Sequence, residues 1–332
     1  MILLLYCYVF ISCFWSPVLD VSLFNFKTAF PYIVLVVLVT PLVINSLNDI
    51  KSMLTFFIVF GSILLVLLLF FTEWDYRTIV LAGNKFNLKT NPLAIANFSG
   101  YVFIVSMLAS NLTKLKYLKW FVAVLCLVIA VKTGSRGQFV FMVISVLLFT
   151  PMTKSKMRIG NMFPLIFGVC VLLAISYWAM TEFSGTDTRW SGDKMDSDFS
   201  NRLGAAFGLL GVWVKSPFTI LFGLGSSASF SNQIFGFYVH IVPLEILGEE
   251  GLIGFFIYLL ILYKLYKAVV RMSLLTKNDG DNRAVLATFS ALVFFMLLLS
   301  LKQGSFLGST YLFSLIVVLS RLESILVEYY KK

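Results

Sequence analysis

The sequence predicts an all-helical, polytopic integral membrane protein, and its composition is the first observation that does so. Of 332 residues, 59% are hydrophobic and only 13% are charged, and the mean hydropathy is +0.93. A soluble globular domain is about 45–50% apolar and about 25% charged. The sequence therefore has too little charge to cover a water-facing surface. This excludes a soluble enzyme, a coiled coil, a disordered chain and a nucleic-acid-binding domain.

The second observation is a series of long apolar runs separated by short charged clusters. A transmembrane helix needs about 20 mostly apolar residues, and the runs predict about ten such helices in a single membrane domain covering residues 1–332. We place the spans near 2–19, 30–46, 53–71, 92–110, 118–131, 138–152, 161–180, 251–269, 284–301 and 307–320. The first run lacks the basic segment and the small-residue cleavage site of a signal peptide, so we treat it as a helix.

The third observation is the distribution of charge between alternate loops. One set of loops, which includes both termini, contains 15 Lys and Arg against 5 Asp and Glu, whereas the other set contains 11 of each sign. Lys27 and Lys302 fall in the second set. Because basic loops stay in the cytoplasm, both termini are predicted to be cytoplasmic. Topology then accounts for the net charge of +10, and a nucleic-acid partner is not needed to explain it.

One outward loop, residues 181–250, is much longer than the others. Its first part is polar and its second part is apolar, with Trp213, Lys215 and Pro217 among glycines. The apolar pieces are too short to cross a bilayer, so interfacial or re-entrant helices are expected. A long loop that is not of low complexity is usually functional. We therefore expect it to fold back onto the membrane surface and shape a cavity there.

A tight outward turn contains the first candidate residues. Thr133, Gly134, Ser135, Arg136 and Gly137 follow each other between two apolar runs. The hydroxyls of Thr133 and Ser135, with backbone N–H groups beside the Arg136 guanidinium, could bind a phosphate. The alternative is a basic residue that only extends from a helix end towards the interface.

His240, the only histidine in the chain, is the second candidate. A histidine exchanges a proton near neutral pH, and one at the outer end of a span could act as a general base towards a sugar hydroxyl. A structural role is the alternative. Glu249 and Glu250 begin the next apolar run, where a carboxylate is costly unless it is paired. Either could orient His240 or pair with a loop arginine, or both could be solvated at the interface.

The remaining candidate residues are two outward arginines, three aspartates of the long loop and the four cysteines. Arg202 is a second cation suited to phosphate, whereas Arg77 follows two acidic neighbours, Glu73 and Asp75, and could form a local ion pair. The spacing of Asp193, Asp196 and Asp198 lacks the glycine and terminal glutamate of a calcium loop, which favours a solvated acidic stretch over a metal site. The four cysteines lie in apolar runs and read as small buried hydrophobes.

Three elements, in order, resemble the bacterial O-antigen ligase and O-antigen polymerase superfamily. Residues 133–137 look like its Thr-x-Ser-Arg-Gly turn. Arg202 followed by Phe222-Gly223-Leu224-Gly225 is similar to the arginine and Gly-x-Gly stretch of its large periplasmic loop. The most specific element is a His-Asn pattern with Leu, Leu, Glu, Gly and Gly at fixed offsets, which is met by His240, Leu244, Leu247, Glu249, Gly251 and Gly254. Ile241 stands where the family usually has asparagine.

The resemblance implies a membrane-embedded, all-helical glycosyltransferase of the GT-C-like type in the bacterial inner membrane, with a periplasmic active site. It implies an undecaprenyl-diphosphate-linked oligosaccharide as substrate, no cofactor and no metal, and it leaves room for a chain-length-regulating partner. Arg136 and Arg202, with Arg77 or Arg189, would hold the diphosphate. His240 would take the proton of the attacking hydroxyl, with Glu249 positioning it.

The sequence leaves two functions open as rivals to an O-antigen polymerase. An O-antigen polymerase joins lipid-linked repeat units, whereas a ligase transfers the finished chain to lipid A-core; the short chain and the missing asparagine favour the polymerase. A polysaccharide flippase is the rival from another class. Transporters commonly have internal repeats and ionisable residues near mid-membrane, whereas here no repeat is visible and the ionisable residues gather at the outer ends of the spans.

Overall fold

The computed structural model has the predicted fold class, that of a polytopic helical membrane protein. Within the described residues, seven helices are long and apolar enough to cross a membrane. The structure describes residues 1–74, 79–81, 89–109, 112, 117–153, 174 and 192–331, with backbone alone for 73–74, 79–81, 89–90 and 192–199. The predicted span at 161–180, apart from residue 174, and the candidates Arg77 and Arg189 lie outside the described residues.

The helices follow the predicted order. Their bounds are α1 Ile2–Ser12, α2 Leu19–Val43, α3 Leu47–Phe71, α4 Pro92–Ala109, α5 Leu118–Lys132, α6 Arg136–Phe149, α7 Gly192–Trp213, α8 Pro217–Phe222, α9 Val242–Leu275, α10 Gly280–Ser300 and α11 Thr310–Lys331. Short 3-10 turns occur at Cys13–Trp15, Thr150–Thr153 and Ala228–Phe230. The two largest differences from the sequence are that α2 and α9 begin earlier than the apolar runs within them.

A small antiparallel sheet was not expected from the sequence. Strand β1 (Thr72–Trp74) follows α3 directly and pairs with β2 (Ile79–Leu81), which in turn pairs with β3 (Lys89–Thr90). The register sets Glu73 opposite Val80. This sheet occupies part of the predicted loop between the third and fourth spans.

The chain divides into two compact units. The first comprises Met1–Asn45, Asp198–Met272 and Met296–Lys332, and the second comprises Ser46–Ser197 and Ser273–Phe295. Unit 1 therefore contains α1, α2, α8, α11, most of α9 and the part of α7 that includes Arg202. Unit 2 contains α3 to α6, the sheet and the first part of α10.

Unit 2 is organised around α4. Glycines allow the closest helix contacts there, since a Cβ at Gly61 would lie 2.6 Å from Val102 and one at Gly100 would lie 2.5 Å from the Phe295 ring. Helix α3 begins with a capping box between Ser46 and Asp49, which satisfies backbone N–H groups at the helix start. Many apolar side chains on the outer faces are exposed, for example Phe70 at 74%, as expected for surfaces that contact lipid.

Unit 1 contains most of the kinked helix α9. Gly251 interrupts this helix with φ 64° and ψ −168°, a backbone region essentially restricted to glycine. The helix continues on both sides of the kink, and the polar residues that precede it lie at the candidate site described next.

Candidate functional site

His240 lies in a strained turn directly before α9. Its φ is 51°, in the left-handed region that non-glycine residues seldom adopt, and the Ile241 N–H donates to the carbonyl of Val239. The imidazole ring centroid lies 4.4 Å from that of Tyr238 and 6.1 Å from that of Phe237. A turn of this kind, closed over three residues, is rare and strained. Strain of this sort concentrates at functional sites.

The part of α9 that precedes its kink contains three buried carboxylates. Glu245, Glu249 and Glu250 have exposed fractions of 4%, 4% and 2%. None of them forms an ion pair with another described residue, so Glu245 and Glu249 depend on hydrogen bonds for compensation, whereas the Oε2 atom of Glu250 has no hydrogen-bond partner among the described residues. The alternative reading of Glu249 and Glu250 as solvated interfacial residues is therefore wrong for this structure.

Glu249 anchors the loop that joins α8 to α9. Its carboxylate accepts hydrogen bonds from the backbone N–H of Ser227 at 2.7 Å, from the backbone N–H of Ser229 at 3.0 Å and from the Ser229 hydroxyl at 2.6 Å. Hydrogen bonds to a charged acceptor are roughly twice as strong as neutral ones. The partners of Glu249 in this structure are thus the serines of its own loop, and the loop is fixed to the helix.

Glu245 anchors a second loop, between α10 and α11. The Phe306 N–H donates to both carboxylate oxygens, at 3.1 and 3.2 Å. In the same loop, the carbonyl of Lys302 accepts a 2.8 Å hydrogen bond from the Arg202 guanidinium. The sequence alone predicted no catalytic or binding role for Glu245. An acidic residue within an apolar helical run was the available signal for it.

Arg202 and His240 belong to elements that share one apolar cluster in unit 1. Ala206 and Leu209, which follow Arg202 on α7, are fully buried with Val239, the residue before His240. Ile241 and Leu244 pack against this cluster, and a Cβ at Gly248 would lie 2.6 Å from Leu209. The structure therefore brings the segments that contain Arg202, His240 and Glu249 together in unit 1, whereas Arg136, which the sequence analysis grouped with them, belongs to unit 2.

The Gly-x-Gly stretch has a structural function at the kink of α9. The N–H groups of Leu224 and Gly225 donate to the carbonyls of Gly248 and Glu249, at 3.0 and 2.8 Å. Because Gly251 breaks the helix, these carbonyls lose helical partners, and the glycine loop replaces them. A Cβ at Gly223 would lie 2.1 Å from the backbone carbonyl oxygen of Glu249, so only glycine fits there.

The Thr133–Arg136 turn lies in unit 2. The N–H groups of Gly134 and Ser135 donate to Val131 and Ala130, at 3.0 and 3.4 Å, and Gly134 has φ 64°; this is a Schellman helix end. The Thr133 hydroxyl donates to Ala130 O at 2.8 Å, and that of Ser135 donates to Thr133 O at 3.5 Å. Both side chains are buried. Arg136 is the half-buried first residue of α6.

Among the described residues, no group of three or more His, Cys, Asp or Glu side chains is arranged to hold a metal ion. The side chains of Asp193, Asp196 and Asp198 lie outside that description. In the part of the chain where side chains are described, the site is therefore built from one imidazole, one guanidinium, buried carboxylates and loop backbone.

Comparisons with known proteins give a fold match. No family model matches the chain, and no curated protein matches it. Among solved structures, the chain is similar to a chain of a peptidoglycan synthase complex whose structure concerns the coordination of polymerization and crosslinking. The match covers 100% of this chain and 98% of that one, with a TM-score of 0.56 and 12% sequence identity. The comparison therefore shows that the two chains share a fold.

Proposed function

We propose that the protein is a membrane glycosyltransferase that polymerises glycan repeat units carried on undecaprenyl diphosphate, by inverting transfer at the periplasmic face of the bacterial inner membrane. The observation that supports this most is the left-handed turn at His240. It lies next to the apolar cluster that also includes residues of α7, the helix that contains Arg202. The similarity of the fold to a chain of a peptidoglycan synthase complex supports a glycan-polymerising role, and the motifs that resemble O-antigen polymerases supply the substrate class.

The reaction needs one proton acceptor and one anion-stabilising group. A hydroxyl oxygen of the acceptor sugar attacks the anomeric carbon of the donor, and the bond from that carbon to the diphosphate breaks. The electron pair stays on the departing diphosphate, while His240 takes the hydroxyl proton. Direct attack inverts the anomeric carbon. Arg202 stabilises the negative charge that develops on the diphosphate, which lowers the barrier because the interaction strengthens in the transition state.

Glu249 is a positioning residue in this scheme. It lies in α9, and its carboxylate binds the loop between α8 and α9, which ends at His240 and Ile241. The assignment of Arg136, Arg77 and Arg189 to the diphosphate, and of Thr133 and Ser135 to substrate binding, rests on the sequence alone. The buried Thr133 and Ser135 hydroxyls donate to backbone carbonyls in the described turn. The N–H groups of Gly134 and Ser135 donate to carbonyls as well, so substrate contacts from that turn would come most readily from the Arg136 side chain.

The test is incubation of the purified protein with a synthetic lipid-linked repeat unit, followed by sizing of the products, with and without a chelator. We expect a ladder of polymers in both conditions. Arg202→Ala should lower kcat/KM by about 30- to 1,000-fold, which corresponds to about 2–4 kcal/mol. Arg271→Ala is the matched control, since Arg271 is in the same unit and forms an exposed 3.4 Å ion pair with Glu323.

The rival functions give different outcomes in a deletion strain. A polymerase mutant leaves a single repeat on lipid A-core, whereas a ligase mutant leaves lipid A-core bare, and that second result would overturn the polymerase assignment. A protein that moves lipid-linked sugar across liposomes without forming glycosidic bonds would be a flippase. Wild-type activity of the Arg202→Ala variant would remove Arg202 from the mechanism.

A further inference from the structure

An open apolar groove lies between α1 and α2 in unit 1. Its volume is about 660 Å³, within the size range of small-molecule sites. On α1 the lining residues recur every three or four positions, and on α2 they do the same, so that one face of each helix forms a wall. The lining residues are Leu3, Tyr6, Cys7, Phe10, Ile11, Leu23, Phe26, Lys27, Phe30 and Ile33.

Lys27 is the charged residue among these ten. Charge patterning placed it in an outward loop, but α2 begins at Leu19, so Lys27 lies eight residues into a candidate membrane span. At a rise of about 1.5 Å per residue, that is about 12 Å from the start of the helix. An ionisable residue within a membrane span is costly and usually marks a functional site. A cation at this depth beside an apolar groove fits a lipid with an anionic headgroup.

The inner end of the groove contacts the loop held by Glu245 and Arg202. Tyr6, which lines the groove, packs its ring 5.7 Å from that of Phe306 and 5.5 Å from that of Phe313. Tyr6 is 2% exposed, and its hydroxyl has no hydrogen-bond partner among the described residues. Phe306 is the residue whose N–H binds Glu245. The ring of Tyr6 thus lies between the groove and the loop to which Arg202 is bonded.

The groove walls are also hydrogen-bonded to the loop held by Glu249. The Ser226 N–H donates to the Ser12 hydroxyl at 3.1 Å, and the Asn25 amide donates to the Ser227 hydroxyl at 3.1 Å. The Tyr8 hydroxyl donates to the carbonyl of Phe222 at 3.0 Å. Bulk lipid needs no such connection to the candidate site. These bonds connect both helices that form the groove to α8 and to the segment that follows it.

We propose that this groove binds the isoprenoid chain of a polyprenyl diphosphate lipid, with Lys27 contacting the diphosphate. The inference rests on the proposed function, because it names where the lipid part of that substrate or product lies. Three features together favour this occupant over bilayer phospholipid: the apolar walls, the cation within the span and the bonds from both walls to the loops of the candidate site.

The exposed thiol of Cys7 offers a direct readout, because it lies in the groove. Full-length protein in detergent would be labelled with a maleimide, and labelling at the Cys7 peptide would be measured by mass spectrometry. Undecaprenyl diphosphate is expected to slow labelling at least tenfold, whereas phosphatidylglycerol at the same concentration leaves it unchanged. Lys27→Ala should raise the lipid concentration needed for protection about tenfold, the loss of one charge-assisted hydrogen bond.

Two matched variants control the experiment. Lys264→Ala removes an exposed lysine from another candidate span in the same unit, and it should leave protection unchanged. Leu4→Cys places a thiol on α1 outside the groove lining, where Leu4 is 53% exposed, and this thiol should label equally fast with and without lipid. Equal protection of Cys7 by phosphatidylglycerol would identify a general lipid contact and overturn the proposal.

The readout separates this proposal from the polymerase assignment. If the protein polymerises repeat units but Cys7 labels at the same rate with and without undecaprenyl diphosphate, the groove assignment is wrong and the function stands. If Cys7 is protected but no polymer forms, the lipid site stands and the function is wrong.

Discussion

Two short turns contain residues through which the sequence resembles O-antigen polymerases, and they use positive φ in opposite ways. In the turn before α6 the left-handed residue is Gly134, which adopts this conformation without steric penalty. In the turn before α9 it is His240, where a glycine would relieve the strain. Residues held in such a conformation cluster at functional sites, which is why the proposed mechanism assigns the proton transfer to this imidazole.

The two turns also differ in where their hydrogen-bond partners lie in the chain. Around Gly134, the described hydrogen bonds of the hydroxyls go to nearby carbonyls within three residues, and they complete a helix end. The segment of His240 connects instead to distant parts of the chain, through Glu249 to Ser229 and through Glu245 to Phe306. The first turn reads as local architecture and the second as an organised site.

The largest expected effect is on catalysis, from His240→Asn. Asparagine tolerates the left-handed conformation but cannot act as a general base, so kcat should fall by about 100- to 10,000-fold. The free energy of unfolding should change by less than about 1 kcal/mol, the contribution of an aromatic pair such as that with Tyr238. Polymer sizing and thermal unfolding in detergent would measure the two quantities.

His240→Gly separates strain from chemistry. It should raise thermal stability, because the strain disappears, and it should be as inactive as the asparagine variant. An active His240→Gly protein would show that the turn, and not the imidazole, is what the reaction requires, and the contrast between the two turns would then lose its functional meaning.

The next effect is on stability, from Gly251→Ala. A Cβ there would lie 2.3 Å from the Gly223 nitrogen and 2.5 Å from the Leu221 oxygen, at a φ of 64°. Backbone strain and overpacking together should cost about 4 kcal/mol. Gly204→Ala is the control, since a Cβ there meets nothing within 4 Å and alanine favours the helix. Equal unfolding temperatures for the two variants would contradict the interlock between the Gly223 loop and α9.

Glu249→Ala should have a smaller effect on stability, of about 3 kcal/mol, because it leaves the donors of Ser227 and Ser229 without an acceptor. Ser229→Ala removes only the 2.6 Å hydroxyl contact and should cost about half as much. Measured unfolding in detergent, together with kcat, decides whether Glu249 acts through the loop. A Glu249→Ala protein of wild-type stability with no activity would instead point to direct participation in the reaction.

Hydropathy predicted most of the fold but misjudged where two helices begin. Helix α2 begins at Leu19 and α9 at Val242, whereas the apolar runs begin near 30 and 251. Asn25 and Glu249 lowered the local hydropathy, yet both lie in helices because distant partners satisfy them: Asn25 bonds Ser227, 202 residues away, and Glu249 bonds Ser229, 20 residues away. A windowed average of hydropathy cannot include such contacts.

The site shows the same limit. Motif spacing indicated Arg202, His240 and Glu249, and the structure places their segments in one unit. Spacing could not reveal that Arg202 is bonded to Lys302, 100 residues away, or that Glu245 holds Phe306, 61 residues away. The loop that contains Lys302 and Phe306 is an ordinary polar connection when read as sequence. Its importance follows only from the buried carboxylate and the guanidinium to which it is bonded.

The smallest effect tests the other turn. Gly134→Ala should lower the free energy of unfolding by about 1–2 kcal/mol, the penalty for placing a Cβ in the left-handed conformation. Because the described hydrogen bonds of this turn end its own helix, KM for the lipid-linked donor should stay unchanged while the unfolding temperature falls. If KM rises severalfold at unchanged stability, the turn binds substrate through its backbone. Both turns would then take part in the reaction.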